Sequence, residues 1–511
     1  MSAIVVDHNL AAPAMPAEAL PTTVATDRGL LIKLAVLLLA TVTFRAVAIE
    51  RPLVGHFATK NVVYAMIARN WVRGEASFFR PTIDVLVNGQ KGWHLLEVPL
   101  SAYVAGAGWH YLGGSLDAWG RAISIACSAV SVLFMFVLMK RWHGETAAWG
   151  ASVALALSPV SVIYGQMFML EPSVVMLTLL TFWTAYWFLD DPRWWKGAIT
   201  CVVFLTLTET KIYMGSALGP FTLWPMLLGM RRNLPKSCVH LIVWLWIALA
   251  INVYLIRDFW EPLKDGPNQD RIFYSLGESS SVHAYTTRWL LTPQFYRYML
   301  DSLAGIVLTP IGFCLALLGL TTRQCWRHTA WIAGSMMLVF AMPRKFYEMS
   351  YYHLVALPVL CVLVGLGWDR LQRGLKLNRF AVAGVVMVAI VFSARYSLTP
   401  AFSIPAEDRS VVAAAEAAKA ITPADEPIAT MHGSTLDLLY YCDRAGFALD
   451  AGSDELVKDI EVAREQGAKK LVVANLDQLQ RENVRAAIKD LPTIAEGNDY
   501  RIYELTHVGD E

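Results

Sequence analysis

The chain has 511 residues, 56% hydrophobic and 17% charged, with a formal net charge of +1. Soluble domains hold roughly 45–50% apolar and about 25% charged residues, so the surplus points to burial in lipid and against a soluble globular protein. Seven scattered cysteines without a CxxC pair argue against a disulfide framework and a zinc site, and no nucleic-acid partner is expected.

Residues 1–28 are rich in Ala, Pro and Thr and lack the basic start and early apolar core of a signal peptide, so they read as a disordered cytosolic tail. A spanning helix needs about 20 mostly apolar residues. Clear runs cover 30–48, 118–139, 146–164, 172–189, 239–256, 302–320, 354–371 and 380–393, and weaker ones cover 197–207, 217–228 and 329–342. Together they predict about eleven transmembrane helices in a polytopic all-α membrane protein. The gaps alternate in character. One set is short and basic: Lys140-Arg141, Arg193/Lys196, Arg231-Arg232/Lys236, Arg323/Arg327 and Arg370/Arg373/Lys376/Arg379. The other carries acids, histidines and aromatics. The positive-inside rule makes the basic set cytoplasmic, which puts the N-terminus inside and the C-terminus outside. The outward segments are then 49–117, 165–171, 209–213, 257–301 and 344–353.

In the first outward segment Tyr64, Ile67, Ala68 and Trp71 fall at helical spacing, as Leu100, Tyr103, Val104 and Trp109 do approximately. Each set predicts a short amphipathic helix lying on the membrane surface. After Pro400 the composition changes: 427–431, 470–474 and 500–505 read as strands, and 434–441, 455–466 and 477–490 as helices. The expected organisation is a tail (1–28), a transmembrane domain (29–400) with a long first outer loop (49–117), and a small soluble extracytoplasmic α/β domain (401–511). No internal repeat or nucleotide-binding motif occurs.

Outward-facing charges are the candidates for chemistry. Glu171 opens a membrane helix in Glu171-Pro172, and an acid at that depth is functional by default; the plainer reading is a helix cap. Glu97, in His94-Leu95-Leu96-Glu97-Val98-Pro99, has the same two readings. The bases Lys60, Arg80, Lys91, His94, Lys211, Arg344, Lys345 and His353 suit a phosphate leaving group at headgroup depth, or are solvated interfacial charges. Lys211 beside Glu209 could be only an ion pair. Asp84, Asp258, Glu261 and Asp270 lie in polar loop contexts that favour solvation. No metal-ligand cluster has convincing spacing, and no cofactor is expected.

Several segments, taken in order, resemble parts of the GT-C membrane glycosyltransferases, in particular the ArnT-like and protein O-mannosyltransferase-like (PMT) group. They are Tyr64-Ala65-Met66-Ile67-Ala68-Arg69-Asn70, Arg80-Pro81-Thr82-Ile83-Asp84, His94 through Leu100, the run 155–170 followed by Glu171-Pro172, and Tyr351-Tyr352-His353-Leu354 through Pro358. No single piece is specific; their order on one topology is. The resemblance covers roughly 30–189 and 344–371. It implies a GT-C fold in the plasma (inner) membrane and a polyprenyl-phosphate sugar donor. A hexose or pentose would pass to a lipid, glycan or protein acceptor on the outer side. Members of the group carry an acidic Asp-Glu pair just before the first-loop helix, and Lys60-Asn61 stand there instead. The resemblance then leaves Glu171 and Glu97 to take or orient the acceptor proton, or Asp84 under a different register. It makes His94, Lys60, Arg344, Lys345 and His353 the donor-binding residues. A catalytically inactive lipid-sugar-binding relative is the first alternative, supported by Lys60-Asn61. A transporter or flippase is the second, weakened by the lack of an internal repeat.

Overall fold

The computed structural model describes residues 28–215, 218, 236–260, 272–275 and 287–505. The expected tail up to residue 27, nearly all of the weak span 217–228, the basic pair Arg231-Arg232, the acids Glu261 and Asp270 and the side chain of Asp258 lie outside the described residues.

Among the described residues, six helices are long and apolar enough to cross a membrane. They are α1 (Arg28–Ala46), α4 (Leu116–His143), α7 (Glu171–Asp190), α9 (Lys236–Trp260), α14 (His353–Leu375) and α15 (Arg379–Phe402). A seventh span is made if α10 (Pro293–Ser302) with its π-helical continuation Leu303–Val307 counts together with α11 (Thr309–Leu320); the pair is bent by 110°. The π turn and Thr309, whose φ is +64°, make that bend.

The other expected spans that are described are shorter or broken. Run 146–164 divides into α5 (Glu145–Leu157) and α6 (Pro159–Tyr164). Pro159 has no N–H to continue the first helix, and the Ser158 hydroxyl accepts from Ser161 N to cap the second. The runs 197–207 and 329–342 become α8 (Trp194–Thr210) and α12 (Thr329–Ala341).

Burial separates the helices into two shells. The apolar windows of α1 and α15 are each only 11% buried and show Ile32, Leu39, Phe380 and Val391 outward, as lipid-facing surface does. That of α14 is 78% buried and forms the axis of the bundle, packed on α5 and α11.

The first outward segment corrects one expectation. It does contain two helices, α2 (Ala58–Val72) and α3 (Leu100–Leu112). However, α2 does not lie on a membrane surface: every residue from Asn61 to Asn70 is buried. It is covered by α3, by a strand of the same segment and by α17 (Asp437–Cys442) from the C-terminal part. Only α3 keeps an exposed apolar end, at Tyr111 and Leu112.

Between these helices runs a hairpin of β1 (Thr82–Val87) and β2 (Gln90–Leu95). Its two-residue turn is Asn88-Gly89, with φ of +50° and +76°. Asn and Gly tolerate that conformation, and the turn's twist matches the twist of the flanking strands. The hairpin joins one eight-stranded sheet of order β3-β2-β1-β5-β4-β6-β8-β7. The remaining strands are β3 (Ile272–Ser275), β4 (Ile428–Met431), β5 (Gly446–Leu449), β6 (Lys470–Ala474), β7 (Thr493–Gly497) and β8 (Tyr500–Glu504). Val85 of β1 pairs with Gly446 of β5, so the first outer loop and the C-terminal part share one sheet. Helices α16 (Val411–Ile421), α18 (Leu456–Glu465) and α19 (Glu482–Ile488) complete that part.

Candidate active site

Four separate segments bring charge to one place. Lys60 lies in the first turn of α2, and Glu97 in the turn between β2 and α3, where Val98 N bonds to Glu209 O at 3.2 Å. Glu171 is the first residue of α7, and Lys211 directly follows α8. Lys60 Nζ donates to Glu171 Oε1 at 2.6 Å. Lys211 Nζ donates to Glu97 Oε2 at 2.8 Å and stands 3.4 Å from Glu171 Oε1. The Tyr64 hydroxyl donates to Glu97 Oε1. Glu97, Glu171 and Lys211 are all buried. The result is a chain of alternating charge, Lys60–Glu171–Lys211–Glu97, closed by a phenol.

Two expectations are corrected here. Glu171 is not a helix cap: Leu170 holds that position, and the carboxylate reaches across to the lysines. Lys211 pairs with Glu97 and not with Glu209, which accepts instead from Asn252 Nδ2 at 3.0 Å.

The chain of charges borders a cavity of about 500 Å³. Lys60, His94, Glu97, Lys211 and Lys345 supply its polar wall, and Phe57, Tyr213, Tyr351 and Tyr352 an aromatic one. Lys60 Nζ lies 3.8 Å from the centre of the Tyr351 ring, a cation–π contact. Tyr352 stacks on both Tyr351 and Tyr213, at 4.9 and 5.8 Å. The C-terminal part closes the cavity with Ser434, Thr435 and Leu436.

Burial alone would push the Glu97 carboxyl up, but Lys211 and Lys60 outweigh it and hold the group down at about 2. Burial pulls His94 down to about 4, aided by Lys60 and Lys211, so its ring is neutral. It can then offer a phosphate an N–H but no charge. Burial also lowers Lys345; Glu348 opposes this, and Lys60, Arg344 and Lys211 add to the lowering, so an arriving anion would favour its charged form. Glu171 Oε2 is buried and has no hydrogen-bond partner among the described residues. It lies one residue contact behind the cavity wall, since Lys60 and Lys211 line the cavity and Glu171 does not.

Other sequence candidates are placed elsewhere. Arg344 turns to Glu348 at 2.6 Å and does not line the cavity. His353 is buried edge-on to Phe346 at 5.6 Å and does not line it either. Asp84 is bound by Arg69 at 2.6 Å and by Lys91 at 2.8 Å. Those cations outweigh burial and hold its carboxyl below the usual range. Arg69 also meets Asp443 at 2.9 Å, so this network ties the hairpin and α2 to the C-terminal part. Arg80 stands over the Trp93 ring at 5.7 Å.

The fold also assembles a cluster that no sequence spacing announces. Asp408, His432 and Asp437 offer ligand atoms within 4.8 Å of one another. Both nitrogens of His432 face partners already, Nδ1 to Asp437 Oδ1 at 2.9 Å and Nε2 to Asp408 Oδ1 at 3.3 Å. The geometry is that of an imidazolium clamped by two aspartates.

A family model described as dolichyl-phosphate-mannose-protein mannosyltransferase matches residues 97–256, a segment that includes Glu97, Glu171 and Lys211. No curated protein matches the chain in sequence. Among solved structures, ArnT from Cupriavidus metallidurans bound to undecaprenyl phosphate is 13% identical, with 94% of this chain and 98% of that one covered and a TM-score of 0.59. The oligosaccharyltransferase of Archaeoglobus fulgidus tethered with an acceptor peptide is 12% identical, with 93% and 74% covered and a TM-score of 0.54. At such identities the likeness is one of fold. The chain is a multi-pass membrane protein of the GT-C glycosyltransferase fold, similar to ArnT and to the protein mannosyltransferases.

Proposed function

We propose that this protein is an integral membrane glycosyltransferase that moves a sugar from a polyprenyl phosphate to an acceptor outside the plasma membrane. Its N-terminus is cytoplasmic, and the C-terminal part (401–511) is extracytoplasmic with the first outer loop to which it is paired. The observation that carries the reading is a cavity with a tyrosine wall lined by Glu97 and three ammonium groups, two of which are bound from behind by the buried Glu171. Lys60, Lys211 and Lys345 against Glu97 and Glu171 leave a surplus of one positive charge. A sugar–phosphate–polyprenol diester carries one negative charge and balances it.

In this mechanism the lysines hold the donor phosphate, and Lys345, which makes no ion pair among the described residues, is the first to meet it. Neutral His94 adds an N–H. The acceptor hydroxyl attacks the anomeric carbon while the bond from that carbon to the phosphate oxygen breaks. Glu171 takes the hydroxyl proton on Oε2, which no described residue binds. The polyprenyl phosphate leaves with the bonding electrons, and its charge is stabilised by the ammonium groups. Both oxygens of Glu97 are already bound, one by Lys211 and the other by Tyr64, so it serves to position Lys211.

A second reading, a lipid-sugar-binding protein without turnover, is favoured by one observation: Lys60 already neutralises Glu171 at 2.6 Å. Turnover separates the two. The purified protein in nanodiscs is given polyprenyl phosphates loaded with radiolabelled mannose, glucose or arabinose, and a membrane extract as acceptor. The glycosyltransferase reading expects label on the acceptor and free polyprenyl phosphate in equal amounts. Saturable binding of a sugar lipid without release of polyprenyl phosphate would establish the second reading.

A further inference from the structure

The cavity is closed from the C-terminal side by the loop 433–436, which joins β4 to α17. Ser434 is exposed to the cavity, and its hydroxyl makes no hydrogen bond among the described residues. Its neighbours, by contrast, are fully engaged. Gly433 adopts φ +59°, and its N–H donates to Gln478 Oε1 at 2.9 Å. Thr435 Oγ1 donates to Asp437 Oδ1 at 2.6 Å, and Leu436 N donates to Thr59 Oγ1 at 3.4 Å, one residue before Lys60. His432, clamped between Asp408 and Asp437, fixes the start of the loop.

The loop is also welded in place from behind. Both Nη atoms of Arg73 meet Asp443 at 2.9 Å, and the hydroxyls of Tyr440 and Tyr441 each donate to Asp117 at 2.6 Å. These contacts tie α17 to α2 and α4, so the loop is a fixed wall and not a moving lid. It presents a hydroxyl and no cation. All three cavity ammonium groups come from elsewhere, from α2, from the residue after α8 and from α13 (Pro343–Glu348). A wall of neutral hydroxyl chemistry opposite no charge of its own suits a polyol and not a phosphate.

We propose that the loop 433–436 is the sugar-recognition wall of the cavity, with Ser434 a specificity-determining residue that hydrogen-bonds a sugar hydroxyl of the donor or of a glycan acceptor. This inference rests on the glycosyltransferase reading, and it gives the C-terminal part a place in substrate choice. A site built to bond a hydroxyl discriminates strongly, because a substrate lacking that hydroxyl leaves the site's own group unpaired.

The test uses the full-length protein in nanodiscs, with Ser434→Ala and the bulkier Ser434→Trp beside the wild type. Binding of undecaprenyl phosphate, which has no sugar, is compared with binding of undecaprenyl-phosphate mannose, glucose and arabinose, and transfer is followed at several acceptor concentrations. A donor-sugar contact weakens sugar-lipid binding at least tenfold in Ser434→Trp and about threefold in Ser434→Ala, while undecaprenyl phosphate binds within twofold of wild type. An acceptor contact leaves all donor binding intact and raises the acceptor KM by similar factors. Equal loss of undecaprenyl phosphate and sugar-lipid binding would overturn the inference, since the loop would then line the phosphate. Unchanged binding and transfer in both variants would overturn it too. A wild type that binds no sugar lipid at all would instead sink the glycosyltransferase reading, and this inference with it.

Discussion

Segment 49–117 contributes to two buried charge networks, and they differ in how completely their carboxylates are bound. Around Asp84, one oxygen accepts from Arg69 and the other from Lys91, while Arg69 also meets Asp443 and donates to Tyr440 O at 3.0 Å. Around Glu171, one oxygen accepts from Lys60 and the other has no partner among the described residues, and a cavity of about 500 Å³ lies beyond Lys60, with Lys345 in no ion pair among those residues on its wall. A buried charge left partly unmatched is costly, and such groups cluster at functional sites. The network in which both carboxylate oxygens are bound fastens segment 49–117 to the C-terminal part; the one with a free carboxylate oxygen is the proposed site of chemistry.

This contrast can be broken by substitution on either side. The largest effect is expected on the saturated side. Arg69→Met takes one cation from Asp84 and one from Asp443, which keep Lys91 and Arg73, and should cost about 3 kcal/mol of stability, the lower end of the loss for breaking a buried pair. Thermal unfolding in detergent would show it as a marked drop in midpoint, with the transfer rate per folded molecule unchanged. An unaltered midpoint would mean that the network does not hold the fold.

On the open side, Lys60→Met removes one phosphate ligand and should weaken donor binding about tenfold, roughly 1.4 kcal/mol, with a smaller loss of stability than Arg69→Met. Titration with undecaprenyl phosphate measures it directly, and the loss should shrink as salt is raised in the wild type. Unchanged affinity would remove Lys60 from the phosphate site.

A smaller effect concerns pH and the clamp behind the loop 433–436. Burial opposes the charge on His432, but Asp408 and Asp437 outweigh it and raise the group to about 10. The folded value lies above the ordinary histidine value of 6.5. The stabilisation is therefore fully present below about 6.5 and is lost as pH rises through about 10. The wild type should lose more unfolding midpoint than His432→Asn between pH 6 and pH 10. Parallel pH profiles for the two proteins would show that His432 is not held as a cation.

Much of this architecture is legible in the chain, because apolar runs separated by charge are a strong signal in lipid. The runs that became α1, α4, α7, α14 and α15 are of that kind. The weak runs were weak because α8 and α12 are short, and 146–164 conceals a break that Ser158-Pro159 announces only in retrospect. The hairpin had a signal that was passed over: Asn88-Gly89 between strand-forming residues. Strand β5 is four residues long, and β7 is a mostly exposed edge, so neither shows a clear alternation. In the site, the sequence named Lys60, His94, Glu97, Glu171 and Lys345, which share one cavity or its border. It also named Arg344 and His353, which do not line it. Direction within a turn decides that difference, and spacing does not report it. Ser434 and Tyr64 are not among the site candidates of the sequence, because their contacts join segments far apart in the chain.

The most direct measurement takes Glu171→Gln and Asp84→Asn together, scoring transfer per folded molecule and unfolding midpoint for each. Glu171→Gln should lose transfer by a factor on the order of 10²–10⁴ and keep most of its midpoint. Asp84→Asn should do the reverse, unfolding earlier while every folded molecule transfers at the wild-type rate. Full transfer by a folded Glu171→Gln protein, or loss of transfer by a folded Asp84→Asn protein, would contradict the assignment of the open network as the site of chemistry.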